Sequence, residues 1–124
     1  MSNLDEYGGG QGPNTQVLVV TTNDVPGFRI DHVIGEVFGL TVRSRHVGSQ
    51  IGASLKSLVG GELKGMTKTL VQSRNEAMER LIAQTQARGG NAVLMMRFDV
   101  SEAGADVGTE VCAYGTAAVI SPLV

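Results

Sequence analysis

A chain of 124 residues with a formal net charge of −2 can bury one modest core, which points to one domain. Tryptophan is absent, aromatics are 4% and no basic run occurs, which argues against nucleic acid and anionic membrane as partners. The single cysteine, Cys112, excludes an internal disulfide and fits a reducing cytoplasm; no stretch reaches the ~18 apolar residues of a membrane span.

Residues 1–15, "MSNLDEYGGGQGPNT", are polar and glycine-rich and read as a flexible tail without the apolar core of a signal peptide. The domain is expected over 16–124. "QVLVVTT" (16–22) is a β-branched run that predicts a buried strand, and Pro26-Gly27 in "NDVPG" predicts a tight reversal. In "FRIDHVIGEVFGLTVR" (28–43), Phe28, Ile30, His32, Ile34, Glu36, Phe38 and Leu40 share one parity, the period of a strand. Gly35 and Gly39 fall on the other parity and suggest a bend, a bulge or a second backbone close by.

The period changes over 48–61, where Ile51, Leu55, Leu58 and Val59 form one stripe of a short helix with Ser49 as its N-cap. A second helix is expected from about Glu62 or Thr67 to Arg88. Its apolar stripe is Met66, Leu70, Ala77 and Leu81, widened by Val71, Met78 and Ile82, with Glu76 and Arg80 paired outside and Gly89-Gly90 ending it. Between the two helices, "LVGGELKGMT" (58–67) has the composition of a phosphate loop but not its order: Lys64 precedes Gly65, and a helix rather than a strand enters it. It reads as a helix–helix corner.

"NAVLMMRFDV" (91–100) predicts a strand with Leu94, Met96 and Phe98 on one side. "TEVCAYGTAAVI" (109–120) predicts its hairpin partner, with a small apolar odd face (Val111, Ala113, Gly115, Ala117, Val119) made for close packing. The order is β-β-α-α-β-β, an α+β domain in which one sheet is covered by one long helix. The strand 28–43 and the strand 91–100 would need a right-handed crossover if they were parallel neighbours. The second face of the sheet is left to a partner, for which another copy of the chain, offering its small-residue last strand, is the simplest supplier.

No G-x-S-x-G, H-E-x-x-H, C-x-x-C or metal-spaced acidic cluster is present, and the reading is a non-catalytic protein. Asp99 and Glu102 lie near a strand end and could be drawn together, as could Glu110, but acids near a loop read as solvation. His32 sits among apolar neighbours and reads as a hydrogen-bonded core or interface histidine. His46, in "RSRHVGS", adjoins Arg43 and Arg45 ahead of a helix start, where free amides and arginines could hold an anion or small ligand; a solvated loop is the competing reading. Cys112, mid-strand, reads as a small hydrophobe. Met95 and Met96 alternate across a strand and so cannot share one soft-metal site.

The segments "TTNDVPGFRI", "GEVFGLTVRSR", "GSQIGASLKSLVGGELKGMT", "SRNEAMERLIAQTQARGGNAVLMMRFD" and "EVCAYGTAAVI", taken in order over about residues 18–120, resemble the YbjQ-like family, whose assigned role is heavy-metal binding. The resemblance implies an α+β subunit with a dodecin-like layout that closes into a homo-oligomeric ring, a pentamer, located in the cytoplasm. It implies a divalent or soft heavy-metal ion as ligand. In this chain Cys112, His46 and His32 are the candidate ligands besides methionine. One subunit supplies too few of them for a usual site unless the fold unites all three; ring symmetry would multiply each. The alternatives are a ring that takes a small organic ligand or anion near Arg43, Arg45 and His46, and an adaptor ring tethered by its tail.

Overall fold

The computed structural model describes residues 16–43, 64–102 and 108–124. Within them lie the strands β1 (Leu18–Val19), β2 (Phe28–Arg43), β3 (Ala92–Glu102) and β4 (Thr109–Pro122), and one helix, α1 (Lys64–Ala87). The tail 1–15 and the helix expected over 48–61 lie outside the described residues, as does most of the corner at 58–67. No helix among the described residues is long and apolar enough to cross a membrane.

The four strands form one sheet in the order β1-β3-β4-β2. β3 and β4 pair antiparallel, as their hairpin pattern predicts, and β1 lies parallel to β3. β2 pairs antiparallel with β4, from Phe28↔Pro122 to Arg43↔Thr109. β2 and β3 therefore run parallel without touching, because β4 fills the place between them. The β2-α1-β3 connection is a split crossover and not the adjacent parallel pair considered above.

The reversal at Pro26-Gly27 is closed by a hydrogen bond from the Phe28 amide to the Val25 carbonyl (3.0 Å). α1 ends as its glycines predict. Gly89 has φ +84°, its amide donates to the Gln86 carbonyl, and the Gly90 amide donates to the Thr85 carbonyl (2.9 Å). Those two bonds make a Schellman motif, which needs a left-handed residue that glycine adopts without a Cβ penalty.

Val37, Ala77, Leu81, Val93, Ala113 and Ala117 are fully buried, where α1 crosses the sheet. The small odd face of β4 is thus spent inside the subunit, under the helix, and is not the surface left for a partner. A second cluster of Val25, Ala92, Leu94, Ala118 and Ile120 lies on the other side of the sheet, where the segment before β2 folds over its lower half. The helix buries Ser73, Ala77, Leu81 and Thr85 at i, i+4, i+8 and i+12. Leu70 and Val71, expected in the stripe, are 41% and 49% exposed. Both buried hydroxyls are satisfied: Ser73 Oγ accepts from Arg43 Nε (2.9 Å), and Thr85 donates to the Leu81 carbonyl (2.9 Å).

Candidate functional site

The surface that stands out is the upper half of the sheet face turned away from α1. Register defines it, since directly opposed residues of paired strands share a face. Phe38 is opposed by Tyr114 and then Arg97; Leu40 by Cys112 and then Asp99; Val42 by Glu110 and then Ser101. Their odd-numbered β2 neighbours Val37, Gly39 and Thr41 are buried under the helix, so the even set points outward. Phe38, Leu40, Val42 and Tyr114 are 48%, 37%, 46% and 37% exposed, an apolar patch with no cover among the described residues.

The apolar parity that marks β2 as a strand is thus, from Phe38 onward, the side turned away from α1. Two irregularities bend the strand, between Ile30 and His32 and between Val33 and Gly35, where Gly35 adopts φ +135°. Beyond them the helix takes the glycine face, because only Gly39 permits its approach. A Cβ there would overlap the Ala77 carbonyl oxygen and the Leu81 amide nitrogen of α1. β3 is likewise irregular between Leu94 and Arg97, with Met95 at φ 53°, so Leu94 and Met96 belong to opposite clusters instead of one side.

The outer edge of β2 is closed by the same helix. Arg88 donates to the carbonyls of Glu36 (2.7 Å) and Ile34 (3.4 Å), Gln84 Oε1 accepts from the Phe38 amide (2.7 Å), and Arg80 donates to the Leu40 carbonyl. Three side chains at i, i+4 and i+8 thus cap four backbone groups of an edge strand, which blocks another strand from adding there. Arg80 is therefore not the partner of Glu76, which instead holds Arg43 (3.0 Å).

Of the residues singled out in sequence, Cys112 lies within the uncovered face, half-buried, its Sγ 3.9 Å from the Ala113 carbonyl. Burial, and then the negative charges of Glu110, Asp99 and Glu36, push its thiol above the usual range. The same carboxylates that disfavour a bare thiolate favour a cation beside it. The sequence suggested that Asp99 and Glu110 could be drawn together but not that they flank Cys112; the register sets Asp99 directly opposite Cys112 and Glu110 two residues along the same face. Their signal was the hairpin itself, which fixes cross-strand neighbours once its register is known.

His32 is exposed, with no hydrogen-bond partner among the described residues, and so is not a core histidine within the subunit. It lies eight residues along β2 from Leu40, the neighbour of Cys112, roughly 25 Å at strand rise. Arg43 is committed to Ser73 and Glu76. Arg45 and His46 lie outside the described residues. Among the described residues no three His, Cys, Asp or Glu side chains are grouped closely enough to hold a metal ion.

A family model described as "Putative heavy-metal-binding", YbjQ, matches residues 17–121. The chain belongs to this family. A UPF0145 protein of Streptomyces avermitilis is 77% identical over 117 residues, covering 94% of this chain and 96% of that one. Another from Acidothermus cellulolyticus is 61% identical, covering 86% and 98%, and one from Thermoplasma volcanium is 50% identical, covering 84% of each. A crystal structure of a protein with unknown function from Pediococcus pentosaceus, placed in the DUF74 family, superposes with a TM-score of 0.52. At 16% identity, covering 85% of this chain and 98% of that one, it shows a shared fold.

Proposed function

We propose that the protein is a non-catalytic homo-oligomer, closed into a ring, that holds a soft heavy-metal cation where the uncovered sheet faces of its copies meet. The observation that carries this reading is the single thiol, Cys112, set in an apolar face with Asp99 directly opposite it and Glu110 two residues along. Phe38, Leu40, Val42 and Tyr114 supply apolar surface of the kind buried between subunits, and contiguous exposed patches of this kind mark interaction sites. The β2 edge, capped by α1, supports association through the face in preference to strand addition.

One subunit offers one thiol, which is too few donors for a soft cation. Copies related by an axis would bring several Cys112 thiols and Asp99 carboxylates together, and five copies is the number the family resemblance implies. Because the thiol starts protonated, binding would release a proton and strengthen as pH rises. Imidazoles from His32 or His46 would enter the site only from neighbouring copies, if they enter it at all. The test is light scattering on wild type and on a Phe38→Lys/Leu40→Lys variant. Both positions are exposed in the subunit, so the variant is expected to fold, with an unchanged circular dichroism spectrum, and to be monomeric. An oligomer of undiminished size in the variant would refute the role of this face.

A further inference from the structure

On the opposite side of the sheet a cleft of about 370 Å³ opens between the first half of α1 and the ends of β3 and β4. Its walls are Leu70, Val71, Phe98, Val100 and Val111, with Thr67 and Arg74 at its polar rim. Leu70, seven residues before Ala77 and so on the same helix face, and Val71 are 41% and 49% exposed at this end of α1. Val100, facing them from β3, is 58% exposed. A concavity of this size with apolar walls and a few polar groups falls within the range of small-molecule sites.

The rim carries the second observation. Arg29 and Arg43 are held by carboxylates, and Arg80, Arg88 and Arg97 donate to backbone carbonyls. Arg74 alone among the described arginines has no hydrogen bond or ion pair to another described residue. Its guanidinium lies instead on the Phe98 ring, 4.6 Å from the centroid, at the cleft wall. Stacking restrains the group while leaving its donors free for an anion.

We propose that this cleft is a binding site for a small amphiphilic carboxylate, an acyl or aryl acid whose apolar body lies between Leu70, Val71 and Val100 and whose carboxylate pairs with Arg74. The site is separate from the Cys112 face and does not depend on a metal. It involves neither Arg43, which is already paired, nor the anion site considered in the sequence at Arg45 and His46.

The experiment is titration of the full chain with sodium octanoate, read by calorimetry and by methyl resonances of Leu70, Val71, Val100 and Val111, with 1-octanol as the uncharged control. A dissociation constant on the order of 0.1 mM is expected for a ligand of this size. Arg74→Met keeps an apolar stem at an exposed position; it should weaken octanoate by at least about tenfold and leave octanol unchanged. Val100→Asp, also exposed, should abolish both. Four results would each overturn the proposal. They are no saturable shift up to about 5 mM octanoate, equal octanoate affinity in Arg74→Met, undiminished binding in Val100→Asp, and ligand-free contacts from residues 44–63 to the Leu70 and Val100 methyls. The last would mean that the chain fills its own cleft.

Discussion

Gly39 is the position at which a single methyl group tests the packing of α1 on the sheet. A Cβ added there would overlap the Ala77 carbonyl oxygen and the Leu81 amide nitrogen and stand 3.0 Å from the Arg80 carbonyl carbon. All three atoms are helix backbone, so no rotamer change relieves the overlap; the helix must lift or the strand must sink. A lift of about 0.5–1 Å forfeits a quarter to a half of the dispersion well for each contact it opens. Those contacts include the fully buried Val37, Ala77 and Leu81. The lift also stretches the hydrogen bonds from Arg80, Gln84 and Arg88 to the edge of β2. Overpacking a core costs about 1–3 kcal/mol, and a clash between backbones with attached hydrogen bonds belongs at or above the upper end. We expect Gly39→Ala to destabilise by about 3 kcal/mol or more, a fall in Tm of about 10 °C. Urea and thermal denaturation at fixed protomer concentration measure it. Gly89→Ala is the control: its φ of +84° is strained for alanine but nothing lies within 4 Å, so it should cost only about 1 kcal/mol. A Gly39→Ala variant within about 1 kcal/mol of wild type would refute the close crossing of helix and strand.

Gln84→Ala removes the acceptor of the Phe38 amide and should cost about 1 kcal/mol, with Phe38 amide exchange rising in hydrogen-exchange measurements while the Val37 amide is unaffected. Asn91 donates to the Ile120 carbonyl (2.9 Å) and accepts from its amide (2.8 Å). Asn91→Ala breaks both bonds at once and should cost about 1–3 kcal/mol, read as a lower urea midpoint with an unchanged slope. Because burial and three carboxylates raise the Cys112 thiol, its thiolate fraction at neutral pH is below that of a free cysteine. Iodoacetamide should therefore label it slowly, with the rate rising through a pH above the ordinary thiol range. Asp99→Asn/Glu110→Gln should move that profile to lower pH, and an unmoved profile would remove the carboxylates as the cause.

Local chemistry made the elements legible. The strand period, the Pro26-Gly27 reversal, the Gly89-Gly90 stop and the β3–β4 hairpin are each set by residues within a few positions of one another. Which face of β2 is covered is not local. The period of β2 alone does not say which parity is covered, and a helix backbone resting on Gly39 decides it; the two glycines of opposite parity were the signal for it. The helix stripe was legible at Ala77, Leu81, Met78 and Ile82, but not in its two polar members, Ser73 and Thr85. Ser73 and Thr85 look like surface residues until Arg43 and the Leu81 carbonyl satisfy their hydroxyls. Arg80 and Gln84 look solvated until an edge strand needs capping. The surroundings of Cys112 depend on register: Asp99 lies thirteen positions away in sequence and opposite it in space.

Native mass spectrometry of the untagged protein, purified without chelator and then titrated with Cd²⁺, tests the central claim most directly. The account predicts a closed multiple of the subunit that takes up Cd²⁺ in fixed ratio to its copies, and a Cys112→Ala variant that keeps the ring and loses the ion. A monomer, or uptake undiminished without Cys112, would contradict it.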